Sequence, residues 1–287
     1  MRRILVGTTA LVVALAAAVV GAAAPAQASL VGATLVSTPS LTDSNNKEAR
    51  AECPGDTIVY GGGARISGGA GQVYVRAIIP DASLEFVTVH GEEDGNFPDD
   101  WTIVAQAVCG PPGNHGLHVV TVPSVVDGTD ISPRSAYAPC PGEVVFSGGF
   151  ELSPTGGEVF IAEMEPTANL NRVEVQAVED FNYTTPWDLS AIAICGVPDT
   201  STIALSAPVS TALNSTTNKT VEPRCDPGFT SIGMGGMIHD VNGDGFTNAV
   251  LDRFSFNVGL SRVTTTAREN GTTTDDWQTL GTVICLS

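Results

Sequence analysis

The chain has 287 residues and carries 31 acidic against 13 basic side chains, a formal charge of −18. That balance argues against nucleic acid and anionic membrane surfaces as partners, because both call for basic patches. With 31 glycines, 18 prolines and no long stretch of helical period, the composition points to an all-β fold.

Residues 1–28 read as a secretory leader. Arg2 and Arg3 open it, an apolar run follows over residues 4–20, and Ala26-Gln27-Ala28 is a small-x-small cleavage signal. Cleavage after Ala28 would release a secreted chain starting at Ser29. The apolar run is too short, and too close to a processing site, to be kept as a membrane span.

Beyond the leader one frame is spelled three times: a cysteine, a Pro-Gly turn, a glycine pair, and a Trp eight residues before a second cysteine. The copies run Cys53–Trp101–Cys109, Cys140–Trp187–Cys195 and Cys225–Trp277–Cys285. They divide the chain into repeats at 29–113, 114–199 and 200–287. An even cysteine count in a secreted chain implies disulfides, and the repeat symmetry selects first with second in each copy. Each bridge closes a loop of about 56 residues, worth ~4 kcal/mol in the chain-entropy account.

Within one copy, a short β-prone piece ending in proline comes first, as at residues 35–39, and reads as an edge strand. A base, Lys47, Arg134 or Lys219, stands six residues ahead of the first cysteine, and an internal salt bridge or a solvated charge is expected for it. After the Pro-Gly turn a strand runs into the glycines, among them Gly62, Gly149 and Gly235. No helix start or lysine follows, so these mark a bulge or a close backbone approach rather than a phosphate cradle. Strands follow at 73–79, 159–164, 84–89, 172–178 and 261–267.

The last strand of each copy is the most telling. A step of eight is even, so Trp and second cysteine share a face: Trp101, Ile103, Ala105, Ala107 and Cys109 in the first copy. The other face is also partly apolar, which predicts a buried central strand beside the glycines. The three tryptophans are therefore expected in the core and not on a binding platform. A Trp beside a disulfide resembles an immunoglobulin-like domain, but there the Trp lies on a different strand from the second cysteine. The expected architecture is three tandem β-sandwich-like repeats of ~85 residues. The alternative is a single pseudo-threefold β body with shared strands.

One segment stands apart. Asp240-Val241-Asn242-Gly243-Asp244-Gly245-Phe246 places oxygen ligands at positions 1, 3 and 5, glycine at 6 and a carbonyl at 7. It resembles the calcium loops of dockerins and EF-hands. The resemblance implies Ca²⁺ held by Asp240, Asn242, Asp244 and Phe246. Position 12 is Leu251, so Asp252 would have to supply the last carboxylate. Four histidines are scattered; His115 and His118 have a chelating spacing on a loop without a nearby acid. Asp99-Asp100 and Asp275-Asp276 read as acidic loop tips.

Lysine is scarce, with only Lys47 and Lys219, and the leader is rich in alanine. Together with the repeats this resembles secreted, disulfide-stapled repeat proteins of high-GC Gram-positive bacteria. The expected role is a monomeric, non-enzymatic binding or structural protein whose partner is a glycan or a protein surface. The alternative is a hydrolase with an acidic site in the third repeat, formed by His239, Asp240, Asp244 and Asp252.

Overall fold

A computed structural model describes residues 30–124, 132–179, 183–198, 202–216, 218–240, 249–271 and 274–287. The described residues hold strands and turns and no helix, as the glycine and proline content requires. The first repeat supplies β1 (Thr34–Pro39), β2 (Lys47–Glu52), β3 (Ile58–Ser67), β4 (Val73–Pro80), β5 (Phe86–Glu93) and β6 (Thr102–Gly110). The second supplies β7 (His118–Pro123), β8 (Arg134–Pro139), β9 (Val144–Leu152), β10 (Val159–Pro166), β11 (Arg172–Glu179) and β12 (Leu189–Gly196). The third supplies β13 (Ile203–Leu205), β14 (Val209–Ser210), β15 (Asn218–Val221), β16 (Thr230–Asp240), β17 (Ala249–Phe256), β18 (Val263–Glu269) and β19 (Trp277–Leu286).

These strands do not stay within their repeats. Sheet I runs β1-β6-β3-β17-β18-β15, sheet II runs β2-β5-β4-β9-β12-β7, and sheet III runs β13-β19-β16-β10-β11-β8, with β14 also on β19. Each sheet takes one half from one repeat and the other half from a neighbour, and the third repeat closes back onto the first. The strand pairing is thus that of the single body with shared strands, and not of three separately sheeted units. The joins are short antiparallel ladders. Arg65 and Ala64 face Arg253 and Phe254, Ala77 and Ile78 face Glu151 and Phe150, and Glu163 and Met164 face Met237 and Gly236.

Inside a repeat the sandwich-like packing holds. In the first, β1-β6-β3 faces β2-β5-β4, and the bridge Cys53–Cys109 ties one half to the other. Cys140–Cys195 and Cys225–Cys285 do the same, with sequence separations of 55 and 60 residues. All six cysteines pair as the repeat symmetry required, and each bridge joins two different sheets. The strand that carries the second cysteine is central each time: β6 lies between β1 and β3, β12 between β7 and β9, and β19 between β13 and β16. Trp101 and Trp187 stand just ahead of β6 and β12, and Trp277 opens β19.

The glycines do two jobs. Each glycine strand carries a bulge just before them, at Tyr60, Phe146 and Ile232, all three side chains fully buried. There the repeats meet backbone to backbone: a Cβ on Gly61 would lie 1.7 Å from the Ile232 carbonyl, and one on Gly233 would lie 2.5 Å from that of Phe146. The three glycines singled out in the sequence are not equivalent. Gly62 pairs with Ala107 and faces Val87 and Ile78 on the Trp side. Gly149 and Gly235 pair with Ile192 and Thr282 and face the junction with the neighbouring repeat.

Candidate functional site

The repeated residues are consumed by the frame. Trp101, Trp187 and Trp277 are buried, and each indole N–H donates to a glutamate eight residues upstream: Glu93 at 2.7 Å, Glu179 at 2.6 Å and Glu269 at 3.3 Å. Over each ring lies the repeated base, Lys47 at 4.4 Å, Arg134 at 4.2 Å and Lys219 at 4.6 Å. Stacking a cation on an indole is favourable, more so away from water. None of these bases is solvated. Lys47 pairs with Asp43, Arg134 donates to the Trp187 carbonyl, and Lys219 donates to the carbonyls of Ala212 and Asn214. The Glu–Trp step of eight, like the Trp–Cys step, stands in the sequence in all three copies and would have revealed these glutamates.

Of the calcium-loop residues, Asn242, Asp244 and Phe246 lie outside the described residues. Asp240 ends β16, buried and paired with Trp277. Asp252 is the bulge residue of β17, and its carboxylate takes a hydrogen bond from Arg268. Burial pushes its pKa up, against the pull of Arg268. The same bulge position in the first repeat is Arg76, 3.7 Å from Glu92. In the second it is Ala162. The ion pair is therefore reversed between repeats one and three and has no charged counterpart in repeat two. His239 and Asp240 are successive on β16, so their side chains leave opposite faces.

The histidine pair splits. His115 is buried against Tyr60 and Phe146, with Nδ1 3.2 Å from the Val197 carbonyl. His118 is exposed, 3.5 Å from Glu143. Cys195 lies beside these two groups. Its sulfur is committed to Cys140 and offers no thiolate, which leaves two donors where a metal site wants three or four.

The places where the repeats differ are the three strand junctions, on the face away from the tryptophans. In sheet III Glu165 reaches across Gly235 to accept from Thr282 at 2.8 Å. Burial, and then the charges of Glu163 and Glu174, raise its pKa to about 8, although the Thr282 bond opposes this. Burial and Glu174 raise Glu163 to about 6. In sheet I the corresponding staple is Gln106, which bonds both backbone groups of Phe256. In sheet II it is apolar, with Ile192 and Pro80 closing on Gly149. The ladder pair beside each staple differs too: half-buried Arg65–Arg253 in sheet I, buried Ala77 with exposed Glu151 in sheet II and half-buried Glu163–Met237 in sheet III. One scaffold thus presents a junction with two arginines and two junctions with a single glutamate, carried on opposite strands of the ladder.

No protein-family profile matches the chain, and no curated protein matches it in sequence.

Proposed function

We propose that the chain is a secreted, non-enzymatic binding or structural protein whose partner is a glycan or a protein surface. One observation carries the reading: what the repeats share is buried in the frame, whereas equivalent junction positions differ in charge from sheet to sheet. A structural frame with divergent faces suits recognition. Three disulfides, and no helix among the described residues long and apolar enough to cross a membrane, fit an extracellular protein. The leader lies outside the described residues, and sequencing the N-terminus of the secreted product should give Ser29.

Affinity electrophoresis through soluble polysaccharides, with reducing ends assayed in parallel, tests the role. Retardation without new reducing ends is the expected result. Sustained release of reducing ends would replace this reading with a hydrolase. Calcium at the 240–252 segment is part of the proposal, supported by the ligand spacing in the sequence. A thermal melt should rise with millimolar Ca²⁺ and lose that rise in Asp240→Ala; an unchanged melt removes the ion.

A further inference from the structure

We propose that Arg65 and Arg253 form a binding site for a sulfate- or phosphate-type oxyanion at the junction that closes the third repeat onto the first. This rests on the binding role above and names a ligand chemistry for it. The two residues are direct partners in the antiparallel ladder of β3 and β17. Their side chains therefore leave the same face, with Cβ atoms about 5 Å apart. Like charges placed directly opposite destabilise a sheet. The fold does not demand them: the equivalent pairs are Ala77–Glu151 and Glu163–Met237.

The charge of Arg253 acts on the neighbouring Asp252 carboxylate, but no carboxylate among the described residues forms an ion pair with either arginine. Asp252 itself is engaged by Arg268. The ladder thus sets two guanidinium side chains opposite each other in a chain whose overall charge is −18. Arg65 Nε is also buried without an acceptor. Both arginines are half-buried, so the charges are shielded from water more than on an open surface. Two guanidinium forks side by side match the oxygens of a tetrahedral oxyanion, which accepts several charge-assisted hydrogen bonds. The staple from Gln106 of β6 to Phe256 of β17 crosses β3 at its ladder partner Gly63 and fixes the backbone on which both arginines stand.

The test uses the mature chain at low ionic strength. Inorganic sulfate and phosphate should raise the melting temperature more than chloride at equal ionic strength. Calorimetric titration should show Arg65→Gln and Arg253→Gln each weakening binding about tenfold to a hundredfold. Arg50→Gln, which alters an arginine stacked on Phe86, should bind as wild type. Dextran sulfate against neutral dextran separates a polymer-borne group from a free anion. A chloride response as large as that to sulfate, or wild-type titrations from both variants, overturns the site. If the double variant still binds dextran sulfate, the site fails and the binding role stands. An intact oxyanion response without polymer binding leaves the site standing and rejects that role.

Discussion

A buried indole has one polar atom, and leaving its N–H without an acceptor costs about 1–3 kcal/mol. Each repeat meets that demand with a glutamate and then sets a cation over the face of the ring. The cation has its own demand: Lys219 Nζ satisfies the carbonyls of Ala212 and Asn214, and burial lowers its pKa. Lys219→Met keeps the stem but strands those carbonyls, and should cost about 2–3 kcal/mol in urea unfolding. Glu165 is the opposite case, a carboxyl held where its charged form is unwelcome. Below about pH 4.5 folded and unfolded chains both hold its proton. Between there and about pH 8 the folded chain keeps the proton and the unfolded chain releases it, so stability falls as pH rises. Glu165→Gln should therefore stabilise the protein on the order of 2 kcal/mol at pH 8 and leave it unchanged near pH 4. Paired melts of variant and wild type across this range would show it, and a constant difference would rule it out.

Strands acquire their special geometry here from bulges. At Tyr60, Phe146 and Ile232 an extra residue turns a large side chain inward and brings the backbones of β3, β9 and β16 into contact. At Gly61 the nearest foreign atom is a carbonyl oxygen of another repeat, which cannot step aside as a side chain could. Gly61→Ala should abolish the yield of folded protein or cost more than about 4 kcal/mol. Gly95→Ala, strained by a φ of 65° but with open space where the Cβ would go, should cost only about 1 kcal/mol. The yield of folded protein, and the thermal melt of each variant that folds, would compare them. The bulge and the close approach were both legible in the glycine runs. The identity of the neighbour was not, because Gly61 meets Ile232 from a repeat distant in sequence. The same limit hid the oxyanion candidate: Arg65 and Arg253 carry no shared spacing, and only the join of β3 to β17 makes them neighbours. The calcium-loop residues, by contrast, announce themselves in sequence while most of them lie outside the described strands.

For the molecule as a whole, the cysteine and tryptophan spacing specified the corner of each repeat, down to the disulfide pairing and the central strand. It could not specify how corners join, because joining depends on ladders two residue pairs long whose members share no motif. The joining decides how the protein unfolds. Separate beads would melt independently, and a bridge lost from one would lower only that bead's transition. With every sheet built from two repeats, no corner can open without stripping strands from both neighbours. Calorimetry should therefore show one transition, with calorimetric and van't Hoff enthalpies in agreement. Replacing Cys140 and Cys195 together by alanine removes a bridge whose sequence separation is 55 residues, worth about 4 kcal/mol. The whole transition should then move down as a unit, by several degrees, with the first and third repeats melting alongside the second. A second transition left at the wild-type temperature would mean that the junctions carry too little coupling to make the ring one cooperative body.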